Sequence, residues 1–444
     1  MSLLSKVSVV IKKYSKRVLI SLYAPCVRKF LKNNSRLKII GVAGSVGKTS
    51  TKPAITNIIG ESGKRVLFHE GAYNDPLTSI FVLLGEEYLN VHSLPSIVKA
   101  YFKVRRASKK NVDYDYAVLE IGTDMPGEMK QMGKFLEMEL CIIVAITPEH
   151  MVNFKSFDAV AKEELEVLRY SKSIIACRDL IPKQYQRVIE RDAKDVLWYG
   201  TANSNSVSVK AGGLVDVGLK TKREVFIKSS MYEGRVHLNL LHLHSGFISA
   251  AAFLIAEKLS LDKDVVLKVI QNIRPALGRG RLIAGRRGSI IIDDSYNNVG
   301  ANVSIASLDL LYEFNTRRRI AVLGGINEMS EGLERDAHTQ VALHLKKKKL
   351  EEVILIGRLA KTYYKPVLAT SGIKFKYFSN PYKVGNYLQS KLVAGMVVLV
   401  KGSQNGIYSE EAIPPLLQDE KDRSLLVRQS DYWLEKKRKS FGLE

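Results

Sequence analysis

The chain has 444 residues, 46% of them hydrophobic and 25% charged, which fits two or three folded domains and excludes disorder throughout. No run reaches the roughly 18 apolar residues of a membrane span, and the apolar run at 18–26 lacks a small-residue cleavage site. The net charge of +23 is concentrated, because residues 1–38 hold ten Lys and Arg and no acid. Cys26, Cys141 and Cys177 form neither a metal spacing nor an even framework, so a reducing cytoplasm is the expected setting.

Residues 1–36 read as a basic helical leader, one or two short helices broken near Pro25. Such a segment can lie on an anionic membrane surface, touch nucleic acid, or pack as a solvated helix beside the main domain. Over residues 37–274 short apolar runs alternate with helical patterns, the mark of a βαβ domain. Within it, residues 196–241 are richer in short alternating runs and suggest an antiparallel insertion. The turn-rich stretch 274–281 marks a boundary. Residues 275–444 then alternate again, with apolar runs at 289–293, 319–323, 353–356 and 396–400. The expected fold class is α/β: a central phosphate-loop domain with a mostly parallel sheet, then a smaller Rossmann-like α/β domain.

The sharpest local signal follows the apolar run at 37–43. It is Gly44-Ser45-Val46-Gly47-Lys48-Thr49-Ser50-Thr51, leading into a helical pattern at 52–59. Glycines let backbone N–H groups approach phosphate oxygens. The helix N-terminus adds partial positive charge. Lys48 can reach the β- and γ-phosphates, and the Thr49 hydroxyl suits Mg²⁺. The strict pattern asks for glycine six residues before the lysine, where Val42 stands. Gly44, Ser45, Val46, Gly47, Lys48, Thr49 and Ser50 are the expected nucleotide contacts.

Five further blocks follow in order. They are Tyr73-Asn74-Asp75, Ala117-Val118-Leu119-Glu120-Ile121-Gly122, and His150 with Phe154, Ser156 and Val160-Ala161-Lys162. Then come Gly278-Arg279 with Ile292-Asp293-Asp294-Ser295-Tyr296-Asn297, and last Val400-Lys401-Gly402-Ser403. With the loop they resemble the Mur ligases across most of residues 37–444. The resemblance implies an ATP-dependent ligase of peptidoglycan-precursor synthesis. Such an enzyme joins a carboxylate to an amine through an acyl phosphate and releases ADP and phosphate. The pattern is most similar to members that add D-alanyl-D-alanine to a UDP-muramoyl tripeptide. ATP and Mg²⁺ are the implied cofactors, and small molecules rather than nucleic acid the implied partners of a monomer.

The resemblance also implies roles. Lys48, Glu120, His150, Glu164 and Arg279 are the expected catalytic set, with Thr49, Glu120 and His150 toward metal. Arg279, Asp294 and Asn297 are expected at the nucleotide. Asn74, Asp75, Lys401 and Ser403 are expected at the substrates. Domain closure is expected to bring Arg279 to the ATP. Where the family commonly has a carbamylated lysine, a gapless alignment from His150 places Glu164, which already carries a carboxylate. The bland reading of Glu163, Glu164 and Glu166 is an exposed helix face.

Several positions depart from the family. Its His-Asn-x-x-Asn motif stands here as His244-Ser245-Gly246-Phe247-Ile248. Only about 36 residues precede the phosphate-loop domain, too few for the domain that holds the UDP-sugar end of the substrate. The basic leader in that place is expected to dock the enzyme at the inner membrane surface. The alternatives are a related ligase for another carboxylate, a nucleotide-binding module without ligase activity, and a nucleic-acid-dependent NTPase.

Overall fold

The alternating pattern becomes two β-sheets. The computed structural model describes residues 3–69, 75–86, 94–148, 153–296, 300–327, 331–346, 350–404 and 406–443, with the side chains of 3–15, 94 and 331 excepted. Two units form: residues 1–210, 227–234 and 247–270, and residues 211–226, 235–246 and 271–444.

The first sheet contains β1 (Lys38–Ala43), β2 (Val66–Leu67), β3 (Tyr116–Glu120), β4 (Met138–Ile143), β5 (Ser171–Cys177), β6 (Val196–Gly200), β7 (Val207–Val215), β8 (Lys222–Lys228) and β9 (Glu233–Leu238). Their order is β2-β3-β1-β4-β5-β6-β7-β8-β9, and the pairings from β2 to β7 are parallel. β1 and β4 are buried almost throughout, as parallel strands covered on both faces must be. Because β3 and β4 flank β1, the order reverses at β1. Ligands of open α/β sheets bind beyond the carboxyl edge at such a point.

The helices of this unit are α1 (Leu3–Asn33), α2 (Lys48–Glu61), α3 (Pro76–Leu83), α4 (Leu94–Ala107), α5 (Glu128–Met132), α6 (Phe157–Glu164), α7 (Lys183–Asp192), α8 (Ser245–Leu259) and α9 (Lys263–Asn272). α1 runs unbroken through Pro25, which corrects the expected break. An interior proline costs about 3 kcal/mol through a lost hydrogen bond and a ring clash. Pro25 sits on the exposed side, while the turns around it are anchored from within. Leu19, Ile20, Tyr23, Val27 and Phe30 are buried in one cluster with Ile80 and Phe81 of α3 and Ala100 and Val104 of α4. Burial of each large side chain contributes about 1.5–3 kcal/mol, enough to offset the proline. Tyr23 meets Phe81 edge-on at 6.2 Å. Polar ties add to this: Lys16 donates to Glu128 at 2.6 Å, Arg17 to the Pro126 carbonyl at 3.0 Å and Arg28 to the Lys134 carbonyl at 2.8 Å. The second half of the leader is thus part of the first unit's core.

The second sheet contains β10 (Arg281–Gly285), β11 (Ser289–Asp294), β12 (Arg319–Gly324), β13 (Glu352–Ile356), β14 (Phe375–Phe378) and β15 (Val397–Lys401), in the order β10-β11-β15-β12-β13-β14. Only β10 is antiparallel to its neighbour. Alternate residues feed two cores. Ile292, Leu323 and Leu399 join α10 (Ala301–Glu313) and α11 (Glu331–Leu345) on one face. Ile291, Val322 and Val398 join Leu388 and Leu416 on the other, the period of two that a doubly covered sheet needs.

Two buried ionic knots lie in this unit. Arg223 is fully buried, donating to the Leu241 and Gly212 carbonyls at 2.8 Å each and to the Glu313 carboxylate at 2.9 Å. Lys437, on the helix Asp431–Ser440, is fully buried between Glu410, at 3.1 Å, and Glu411. Arg428 forks onto the same Glu410 at 2.8 and 2.6 Å. Among the described residues no helix is long and apolar enough to cross a membrane.

Candidate active site

In the first unit the phosphate loop joins β1 to α2 at the carboxyl edge of the sheet. Gly44 and Gly47 have φ of +116° and +92°, a region that disfavours side chains. A Cβ on Gly44 would lie 2.5 Å from the Ala145 carbonyl oxygen, so the close approach to the segment that follows β4 demands glycine. Ser45 fastens the loop sideways: its N–H donates to the Ala145 carbonyl at 2.9 Å and its hydroxyl to the Thr147 carbonyl at 3.0 Å. The buried Lys48 ammonium donates to the carbonyls of Gly44 and, at 3.4 Å, Ser45. Val46 and Ser50 are half-buried at the loop and the first turn of α2.

β3 is an apolar strand that delivers Glu120 to the same edge, opposite Val42 of β1. The Thr49 hydroxyl donates to Glu120 Oε1 at 3.2 Å. Glu120 Oε2 faces the Lys52 ammonium at 3.5 Å, and both side chains are buried. Burial pulls Lys52 below the ordinary lysine value, against the opposing pull of Glu120. Lys52 was not singled out from the sequence. The signal was there: it stands four residues after Lys48, on the same face of α2.

Glu164 closes α6, is buried, and accepts from the Gly44 N–H at 3.1 Å. Glu163 is buried too and accepts from Gly127 and Met129 at 2.7 and 2.8 Å. The exposed-face reading therefore fails for both. Lys162 is the exposed one, paired with Asp158 at 2.8 Å. Asp75 caps α3, accepting from Leu77 and Thr78, and pairs with Lys16 at 3.3 Å. Asn74 and His150 lie outside the described residues.

In the second unit, Asp294 and Lys401 end neighbouring parallel strands and pair directly, with the Lys401 ammonium 3.3 Å from Asp294 Oδ2. Lys401 is fully buried there. Burial opposes the Asp294 charge, but Lys401, His242 and the Ser307 hydroxyl outweigh it and hold the carboxyl below its usual value. Burial also lowers Lys401, with Asp294 opposing. Next door, burial pushes Asp293 up to about 7, with Glu410 and Asp294 adding repulsion and Ser295 opposing.

Arg279 rides the turn between Gly278 (φ +67°) and Gly280 (φ +77°). The turn is tied to the end of β11, since Gly280 donates to the Asp293 carbonyl at 2.8 Å and Tyr296 to the Gly278 carbonyl at 3.1 Å. The Arg279 guanidinium stands 5.8 Å from the Tyr296 ring centre, and Arg428 approaches the same ring at 5.2 Å. Ser403 is buried and accepts from the Asn327 N–H at 3.4 Å. Asn327 also lines a cavity of about 190 Å³ with Gly325, Ile356, Arg358, Ser379 and Phe441, beyond the carboxyl ends of β12, β13 and β14. Asn297 lies outside the described residues. Arg223, His242 and Arg358 were not foreseen. Nothing in a local pattern marks the buried Arg223 or the exposed Arg358.

Residues 42–251 match the family model described as the Mur ligase middle domain. The UDP-N-acetylmuramoyl-tripeptide–D-alanyl-D-alanine ligase of Rickettsia prowazekii (strain Madrid E) is 22% identical over 378 residues, covering 84% of this chain and 77% of that protein. The ligase of the same name from Escherichia coli (strain K12) is 22% identical over 388 residues, covering 84% and 75%. Among solved structures, MurF ligase from Thermotoga maritima in complex with ADP matches with a TM-score of 0.71 at 18% identity, covering 91% of this chain and 84% of that one. The phosphate loop and the strand-borne Glu120 lie inside the stretch that matches the Mur ligase middle domain, the relatives named as ligases match over most of the chain, and the fold is that of the MurF structure.

Proposed function

We propose that this chain is a Mur ligase that adds D-alanyl-D-alanine to a UDP-muramoyl tripeptide, with ATP as the energy source. The observation that carries the reading is the Lys48–Thr49–Glu120 arrangement at the reversal point of the first sheet. The relatives bearing that activity in their names match over more than four-fifths of the chain.

Phosphoryl transfer needs positioning and charge neutralisation more than covalent help. The loop N–H groups and Lys48 bind the phosphates. A substrate carboxylate oxygen attacks the γ-phosphorus, the bond to the bridging oxygen breaks, and ADP leaves. The amine nitrogen then attacks the acyl carbon, phosphate departs, and the amine gives up its proton.

The donor set at Thr49 and Glu120 fits Mg²⁺, which prefers hard oxygens and keeps several waters. Glu120 Oε2 accepts no short hydrogen bond, and the Thr49 hydroxyl lies beside the other oxygen. Among the described residues no cluster of three or more His, Cys, Asp or Glu side chains gathers, so Thr49 and Glu120 are the described residues that would hold the ion. Bound Mg²⁺ supplies charge neutralisation at the phosphates. Glu164, held at the loop backbone, serves in place of a carbamylated lysine. In the second unit, the cavity beside Ser403 receives the dipeptide, with Arg358 facing its carboxylate. Lys401 acts indirectly, by fixing Asp294.

The test is phosphate release with a panel of UDP-muramoyl precursors and D-amino-acid dipeptides. Release that needs both a tripeptide precursor and D-alanyl-D-alanine supports the reading. No turnover with any pair, beside good ATP binding, refutes it.

A further inference from the structure

Two helices of the first unit share a chemistry that ligation does not use. α1 and α4 lie side by side: the Tyr23 hydroxyl donates to the Ile97 carbonyl at 3.5 Å, and further along the Asn33 amide donates to the Ser108 carbonyl at 3.4 Å. The sequence offset is nearly constant, so the helices run in the same direction. Both send their inner faces into one core, Leu19, Tyr23 and Phe30 from α1 and Ala100 and Val104 from α4.

Their outer faces are not polar in the ordinary way. Val18 is 65% exposed and Leu22 43% on α1; Val98 is 49% exposed and Phe102 61% on α4. On each helix the two residues are one turn apart, so each pair makes a stripe. The charge around the stripes has one sign. Residues 1–38 carry ten Lys and Arg, residues 94–110 carry six, and neither segment contains an acid. Lys29, Lys32, Lys99, Arg105, Arg106 and Lys109 are exposed. Arg105 and Lys29, one from each helix, both act on the thiol of Cys26, so the two charge sets adjoin. Some of the charge is answered locally, since Glu86 pairs with Lys103 at 3.3 Å and Lys110 at 2.6 Å. The exposed lysines and arginines named above are not in those pairs.

We propose that the outer face of α1 and α4 is a docking surface for an anionic lipid bilayer. Large apolar side chains among lysines and arginines suit the boundary between headgroups and acyl chains. An anionic surface attracts each nearby cation and loses its hold as salt screens it. The surface lies on a membrane and does not enter it as a span, because no described helix is long and apolar enough to cross. The inference rests on the two helices and stands apart from the ligase reading.

Deleting the leader is a poor test, since Tyr23 and Phe30 belong to the core. Point variants of the full chain serve better: Val18→Asp with Leu22→Asp, Phe102→Asp, and Arg105→Glu with Arg106→Glu. Co-sedimentation is measured with vesicles of equal phosphatidylglycerol and phosphatidylcholine, and with phosphatidylcholine alone. ATP binding serves as the folding control. The parent chain is expected to bind the anionic vesicles at least tenfold more tightly and to release them in high salt. Each variant is expected to lose about tenfold in vesicle affinity with ATP binding unchanged. Equal binding to both vesicle types, or variants that sediment like the parent, overturns the proposal. So does a self-associating chain that Phe102→Asp renders monomeric without any vesicle binding, which gives the face to a second copy. RNA retention lost in the same variants, without vesicle binding, also overturns it.

Discussion

Glu164 accepts a hydrogen bond from the backbone N–H of Gly44 at 3.1 Å, so a buried carboxylate holds the first glycine of the phosphate loop. Alanine at this position would leave that N–H without this acceptor, at a cost of about 1–3 kcal/mol. Glutamine can still accept the bond but carries no charge. Glu164→Ala is expected to weaken ATP binding about tenfold, a loss of about 1.4 kcal/mol. Glu164→Gln should keep the parent's thermal stability and lose turnover. Added bicarbonate should change neither. Full turnover in Glu164→Ala, or bicarbonate-dependent activity in the parent, contradicts the assignment.

Lys52 and Glu120 make a second test. Removing one member of a buried ion pair strands the other, at about 3–5 kcal/mol. Lys52→Met is therefore expected to lower the melting temperature by several degrees. Lys52→Met with Glu120→Gln should be milder than Lys52→Met alone, because no charge is left stranded. Calorimetry of the two variants checks this. A Lys52→Met protein as stable as the parent shows that the pair carries no weight.

Much of the fold was legible for one physical reason. β1, β3, β11, β12, β13 and β15 are covered on both faces and so read as continuous apolar runs. β10 and β14 lie at the two edges of the second sheet, and their Arg281-Leu-Ile-Ala-Gly and Phe375-Lys-Tyr-Phe mix exposures, so no run announces them. Pro25 suggested a break because local rules ignore the core that holds both flanking turns. At the site, the loop and Glu120 could be read because backbone geometry dictates glycine and a carboxylate at the end of an apolar strand stands out in the sequence. Lys52, Arg223 and His242 owe their positions to partners 11 to 90 residues away, which no local pattern encodes.

Asp293 yields a pH prediction. Its carboxyl titrates near 7 in the folded chain and at the ordinary 3.8 when unfolded. A raised folded value means that the folded state favours the protonated form. The stability this group contributes is complete below pH 4, is lost as pH rises to about 7, and changes no further above that. Asp293→Asn removes the dependence. Parent stability minus variant stability should fall between pH 4 and 7 and stay level above 7, by a few kcal/mol at most at about 1.4 kcal/mol per pH unit. Urea titrations at several pH values measure the difference. A difference that does not vary with pH counts against the buried, repelled carboxyl.

Arg358 tests the place of the amine substrate. It lines the cavity beside Ser403 without belonging to the Asp294–Lys401 pair. Arg358→Ala is expected to raise KM for D-alanyl-D-alanine at least tenfold while leaving KM for ATP near the parent's value. Steady-state kinetics with each substrate varied in turn separate the two. An unchanged KM for the dipeptide places its carboxylate elsewhere.

The central claim is that ATP activates a carboxylate at the Lys48–Thr49–Glu120 site before the amine attacks. Its most direct test uses a tripeptide precursor labelled with ¹⁸O in the terminal carboxylate, turned over with ATP and D-alanyl-D-alanine. An acyl phosphate requires one labelled oxygen to leave in the inorganic phosphate, so mass spectrometry should find labelled phosphate in step with the amide product. Unlabelled phosphate beside that product would contradict the account.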